Sequence, residues 1–239
     1  MIYEILSNLS GFRKSLILMA KLILLRHFKS QWNEENRFSG WVDMPLAKDK
    51  GEKEWETIKK VSAMELDAVY TSPLVRNLST VLEIFEYANQ KYPIFRHFEG
   101  KMKQWANFSE SNKNYVPAFI SEALNERYYG KLQGLNKEET MKKYGEEKVR
   151  QWRRSFNEAP PGGESLKDVC KRTTPFFQKY IEKDLTAGKN VLVVASHNSL
   201  RVIVKYLEKI PDQDIINLEI TFGGLLEYEF DGNFYKRAI

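Results

Sequence analysis

Two histidines, His27 and His197, each leave the end of a short apolar run with an arginine close by. The first stands in Arg26-His27-Phe28-Lys29-Ser30-Gln31-Trp32-Asn33, after Leu22-Ile23-Leu24-Leu25. The second stands in His197-Asn198-Ser199-Leu200-Arg201, after Val191-Leu192-Val193-Val194-Ala195. An imidazole beside guanidinium groups suits phosphate chemistry: a ring nitrogen attacks phosphorus, and the arginines hold the oxygens and their charge. An open α/β sheet keeps its ligands at the carboxyl ends of its strands, which is where both histidines are expected. The third histidine, His97 in Phe95-Arg96-His97-Phe98, reads as a half-exposed strand residue outside the site.

The elements that must position these groups alternate. Leu22–Leu25, Leu66–Tyr70, Pro93–Phe98, Val191–Ala195 and Leu225–Phe230 read as strands. Glu52–Ala63, Val75–Ala88, Lys137–Phe156, Leu166–Leu185 and Ser199–Lys209 read as helices, with Asn136 marking one start and Gly188 one end. Pro160-Pro161-Gly162-Gly163 is a loop. This order predicts an α/β fold, a three-layer α/β/α sandwich around a mostly parallel central sheet. His27 and His197 should then lie at the carboxyl ends of adjacent central strands.

Composition narrows the class. At 239 residues, 42% hydrophobic and 29% charged, the chain can bury a full core and is not of disordered type. The net charge of +5 is spread along the chain and favours small anions, with no basic block that would serve nucleic acid. A single cysteine, Cys170, excludes an internal disulfide and fits a reducing cytoplasm. The apolar stretch Ser15–Leu25 is interrupted by Lys21 and is too short to span a bilayer, so no membrane role is expected. Residues 1–18 read as an N-terminal extension before Met19, and residues 19–239 as a single domain with an insertion at about 96–119. That insertion should be an elaboration near the substrate entrance.

Several further motifs follow in order. They are Glu35-Asn36-Arg37-Phe38-Ser39-Gly40-Trp41-Val42-Asp43, Tyr70-Thr71-Ser72-Pro73-Leu74-Val75-Arg76 and Leu124-Asn125-Glu126-Arg127-Tyr128-Tyr129-Gly130-Lys131-Leu132-Gln133-Gly134-Leu135-Asn136-Lys137. After them come Trp152-Arg153-Arg154-Ser155-Phe156 and Pro160-Pro161-Gly162-Gly163-Glu164-Ser165-Leu166. With these, the chain resembles the cofactor-dependent phosphoglycerate mutases of the histidine phosphatase superfamily from about Lys21 to Asp231. The Asn125–Lys137 and Trp152–Ser155 runs carry most of the specificity, because they separate mutases from the general phosphatases of the fold.

The resemblance implies roles. His27 takes and returns a phosphoryl group, primed by 2,3-bisphosphoglycerate, with no metal required. Glu126 is the general acid and base, and His197 is the second catalytic histidine. Arg26, Asn33 and Arg76 bind phosphate. Ser39 and Gly40 form a loop against substrate. Arg127, Tyr129, Lys137, Arg153 and Arg154 bind its carboxylate and second phosphate, and Asn198 joins the substrate-binding set. A small phosphorylated partner, a cytoplasmic location and a homodimer fit the same picture.

The chain departs from the family pattern at Phe28 and Lys29, where a glycine and an acidic residue or glutamine are usual. It departs again at Ser196-His197, which replace His-Gly, and at Thr221-Phe222, which replace Pro-Thr. These changes fall on loops expected to converge on one pocket, and the arginines, Glu126 and two histidines remain, so a rebuilt pocket is expected. Only Asp231 to Ile239 follow the last predicted strand, with Lys236 and Arg237, where family mutases carry a longer basic tail; greater phosphatase leakage is expected. Three readings follow: a phosphoglycerate mutase first, then a histidine phosphatase of small metabolites, then a non-catalytic phosphate-binding relative.

Overall fold

A computed structural model describes residues 19–88, 91–106, 114–232 and 235–238. The proposed N-terminal extension, residues 1–18, lies outside them. Seven strands form one sheet in the order β3-β4-β2-β5-β1-β6-β7. They are β1 (Ala20–Arg26), β2 (Ala68–Thr71), β3 (Tyr92–His97), β4 (Tyr115–Ile120), β5 (Val191–Ala195), β6 (Leu225–Phe230) and β7 (Tyr235–Arg237). From β3 to β1 all pairings are parallel, and β6 and β7 close the other edge antiparallel. The sheet is thus mostly parallel, as the alternating pattern predicts.

The central strands are apolar on both faces because helices cover both. Leu22, Leu24, Val191 and Val193 pack into one core with Phe177, Leu200 and Val204. Ile23, Leu25, Leu192 and Val194 pack into the other with Ile58, Val81 and Ile84. The covering helices are α2 (Glu52–Ser62) and α3 (Val75–Glu86) on the second face, and α7 (Leu166–Phe176) and α9 (His197–Glu208) on the first. Ser165 starts α7 with a capping box closed by Asp168. Pro175 lies within α7 and lacks a donor, and the chain widens into a π-helical turn at Phe177–Ile181 before α8 (Glu182–Thr186). Among the described residues, no helix is long and apolar enough to cross a membrane.

Two departures have physical reasons. The single helix expected over Lys137–Phe156 is two, α5 (Lys137–Tyr144) and α6 (Glu146–Arg154), because Gly145 sits between them at φ +86°. The stretch 96–119 contains most of β4, which lies between β2 and β3, as well as α4 (Gly100–Trp105). Pro117 disguises β4, since a proline inside a run argues against a central strand. A short helix α1 (Gln31–Glu34) follows β1, and α9 begins at His197 rather than Ser199.

Candidate active site

Backbone pairing brings the two histidine-bearing strand ends together. Arg26 stands opposite Ala195 in the β1/β5 register, and His27 N donates to Ala195 O at 3.2 Å. Ser196 is the N-cap of α9, and His197 is its first residue. Both histidines line one cavity of about 80 Å³ with Arg26, Asn33, Ser39, Gly40, Arg76, Glu126, Tyr129, Lys137, Arg153 and Arg154. Of the residues singled out in the sequence, only Arg127 and Asn198 do not line it. A larger cavity of about 610 Å³ lies beyond Trp41 and Arg172, walled by Phe98, Phe176 and Tyr180. It contains His97 but none of the candidate site residues, and lacks their cluster of cations.

His27 is 3% exposed. Its Nδ1 lies 2.6 Å from Phe28 O. A carbonyl only accepts, so this contact assigns the ring proton to Nδ1 and leaves the lone pair on Nε2. Burial first, then the charges of Arg76 and Arg26, hold its pKa well below the ordinary imidazole value. The ring is therefore neutral, with its lone pair on Nε2. Phe28 does not crowd it: its own ring packs in the core with Ile58 and Val194, and its N–H donates to Thr80 Oγ1 at 3.1 Å.

Two of the cavity's cations are fixed by backbone carbonyls. Arg76 donates through Nη2 to Gly40 O at 2.7 Å and through Nη1 to Val42 O at 3.0 Å. Gly40 adopts φ +54°, and a Cβ there would stand 2.3 Å from Gln133 Oε1, so this loop needs glycine. Arg26 donates through Nη1 to Ile220 O at 2.5 Å, and its guanidinium lies 3.7 Å from the centroid of the Phe222 ring. Burial brings its pKa down to about 10. Asn33 Oδ1 accepts from Ser30 Oγ at 2.7 Å, which fixes the amide at the start of α1.

Glu126 is held from both ends. Its Oε1 accepts from Arg127 N and Asn198 Nδ2, each at 2.7 Å, and from Asn198 N at 3.3 Å. Its backbone carbonyl accepts from Trp41 Nε1 at 2.6 Å and Arg172 Nη2 at 3.0 Å. Asn198 is thus a support behind the carboxylate. Arg127 is fully buried, donates to Arg153 O at 2.5 Å, and lies behind the cavity wall.

The far end gathers Lys137, Arg153 and Arg154. Burial, then Arg153 and Arg26, pull the Lys137 pKa down to about 8. Burial also lowers that of Arg153. Arg154 Nη1 pairs with Glu219, a carboxylate that also lines the cavity. His197 Nε2 lies 3.4 Å from Glu219 Oε1 and 3.4 Å from Ile220 N. Burial, then Arg26 and Arg201, hold the His197 pKa well below the ordinary value. Ser196 takes no part in the cavity; its Oγ accepts from Asn77 Nδ2 at 3.3 Å. Sequence reasoning missed Arg37, Phe38 and Glu219 as lining residues. The first two stand inside a motif that carried the resemblance, whereas Glu219 in Leu218-Glu219-Ile220 carried no signal.

The chain is similar in sequence and fold to known proteins. A sequence profile of the histidine phosphatase superfamily (branch 1) covers residues 22–99 and 102–236. The 2,3-bisphosphoglycerate-dependent phosphoglycerate mutase of Methanococcus vannielii is 45% identical over 92% of this chain and 94% of its own length. That of Chlamydia pneumoniae is 43% identical over 89% of this chain and 94% of its own. Among solved structures, Bacillus stearothermophilus YhfR superposes with a TM-score of 0.71 at 23% identity, covering 92% of this chain and 96% of its own. That last likeness concerns the fold alone.

Proposed function

The chain belongs to the histidine phosphatase superfamily, and on that premise we propose that it interconverts 3-phosphoglycerate and 2-phosphoglycerate through a phosphorylated His27. Relatives 40–45% identical over about nine-tenths of the chain carry that activity in their names. The observation that carries the reading is the state of His27: neutral, with Nδ1 tied to Phe28 O and Nε2 left for phosphorus, in a cavity it shares with Glu126.

2,3-Bisphosphoglycerate, when bound, supplies the phosphoryl group that primes His27. The residues present fit such a polyanion. Arg26, Arg76, Lys137, Arg153 and Arg154 converge on the cavity, and the buried Ser39 Oγ has no hydrogen-bond partner. His27 Nε2 forms a bond to phosphorus as the phosphorus–oxygen bond of the donor breaks. Arg26 and Arg76 hold the charge on the transferring oxygens, the part metal ions play in nucleotide enzymes. Glu126 delivers a proton to the departing oxygen and recovers one from the hydroxyl that later attacks phospho-His27. The burial of His27 limits water's competition for the phosphoryl group without excluding the phosphatase leakage expected from the sequence.

Lys137, Arg153 and Arg154 would hold the end of the substrate that does not react, with Tyr129 beside them. Arg127, buried behind them, supports the Arg153 backbone in this reading. A cytoplasmic homodimer belongs to the same proposal and is checked by sedimentation. The activity is tested by an enolase-coupled assay with and without 2,3-bisphosphoglycerate, beside phosphate release on the same sample. Turnover that needs the bisphosphate and is lost in His27→Ala supports the mutase. Phosphate release without isomerisation would replace it with the phosphatase reading.

A further inference from the structure

Glu219 is an anion placed where anion-binding groups converge. Its Oε2 accepts from Arg154 Nη1, while its Oε1 lies 3.6 Å from Arg26 Nη1 and 3.4 Å from His197 Nε2. The residue sits in irregular chain between a short 3₁₀ turn (Asp214–Asn217) and β6. Its side chain is 46% exposed, and of the two most exposed side chains lining the cavity, Arg37 and Glu219, it is the anion. The cavity, about 80 Å³, falls well below the ~300 Å³ at the lower end of small-molecule sites. A ligand with two anionic groups therefore gains room if part of the wall withdraws, and Glu219 is a half-exposed anion that can do so.

We propose that Glu219 is a specificity-determining residue of this site, a built-in counter-anion that a ligand's second anionic group displaces. The proposal rests on the reading of this cavity as the phosphoglycerate site. A half-exposed carboxylate gains little from its ion pairs, so leaving them costs little. It cannot share Arg154 and Arg26 with an incoming phosphate or carboxylate at close range, because like charges there repel. While it stays, it cancels positive charge most at Arg154, its tightest partner, and partly at Arg26, but leaves Arg76 unpaired by it. A lone phosphate at His27 competes with Glu219 for Arg26, whereas a bisphosphate competes with it for Arg154 as well. The residue thereby sets how strongly the site prefers two-headed anions.

Glu219→Gln removes the charge and keeps the size. Binding is measured by calorimetry in a His27→Asn background, where no phosphoryl transfer starts, using 2,3-bisphosphoglycerate and inorganic phosphate as probes. The expected result is ~10-fold tighter bisphosphate binding with a distinctly smaller gain, ~2–3-fold, for inorganic phosphate. Equal tightening of both probes, no change, or weaker bisphosphate binding would overturn the proposal. Turnover is assayed separately on the unsubstituted protein. Absent turnover with the selective effect intact refutes the mutase reading and leaves Glu219's role standing. Turnover without the selective effect does the reverse.

Discussion

Asn198 Nδ2 donates to Glu126 Oε1 at 2.7 Å, while Asn198 Oδ1 accepts from Arg201 Nη1 at 3.0 Å. A guanidinium has no acceptor, so Arg201 fixes which end of the amide faces Glu126. Arg201 is in turn anchored to Arg154 O at 3.0 Å and Ile215 O at 2.5 Å. The carboxylate proposed to move protons is thus aimed by a chain of buried hydrogen bonds running from α6 through α9.

Asn198→Ala should lower kcat by ~10–100-fold, the scale on which a misplaced reacting group costs rate. KM should change little, since Asn198 does not line the cavity. Asn198→Asp should be as damaging, because it sets a second carboxylate against Glu126. An enolase-coupled assay of the two variants checks this, and an unchanged kcat in both would detach Asn198 from the chemistry.

Stability should depend on pH through the buried histidines. In the folded protein His27 and His197 are held well below the ordinary imidazole value, and unfolding restores it to ~6.5. The unfolded chain then binds more protons as pH falls through ~6.5 toward the folded values, so stability is full above that range and lost through it. A melting series from about pH 8 down to about pH 5 should show Tm falling below ~6.5, and falling less steeply in His27→Asn. An identical slope in the variant would show that His27 is not a source of the loss.

Lys137 should make substrate affinity sensitive on the alkaline side. With a pKa of about 8, it is charged below that pH and neutral above it. KM for phosphoglycerate should therefore rise as pH climbs through about 8. Lys137→Arg, which stays charged, should flatten the profile, while Lys137→Met should show a raised KM throughout. A flat profile in the unsubstituted protein would remove Lys137 from substrate binding.

Much of this was legible in the sequence because the relevant signals are local. Val191–Ala195 and Leu225–Phe230 are runs whose apolar content needs a buried sheet, and they form strands with those bounds. The site residues stand in short motifs at element ends, where parallel pairing of β1 with β5 gathers them. What was hidden depends on long-range contacts. β4 is a strand because β2 and β3 flank it, despite Pro117. Glu219 reaches Arg26, Arg154 and His197 across 193, 65 and 22 positions of chain, and a lone glutamate carries no mark of that. Phe28 and Phe222 look like intrusions by type. Only the fold shows one in the core and the other stacked on Arg26.

The exchange of Ser196 and His197 gives the last test. Extended backbone at Ser196, ψ 164°, is followed by the first turn of α9, so successive side chains leave in different directions. Ser196 Oγ meets Asn77, while His197 lines the cavity at the edge made by Glu219 and Ile220. On the proposed roles His197 stabilises the transferring phosphoryl group from a shifted position; because Nε2 accepts from Ile220 N, the neutral ring would donate through Nδ1. His27→Ala should abolish acid-labile phosphate incorporation from 2,3-bisphosphoglycerate. His197→Ala should slow it by ~10²–10³-fold without abolishing it, the scale of losing one preorganised donor. Ser196→Ala should leave it unchanged, since its hydroxyl bonds only within the wall. Peptide mapping of the label decides the matter: label on His197 with His27 unlabelled would reverse the two roles, and full incorporation in His197→Ala would leave the ring with no part in phosphoryl transfer.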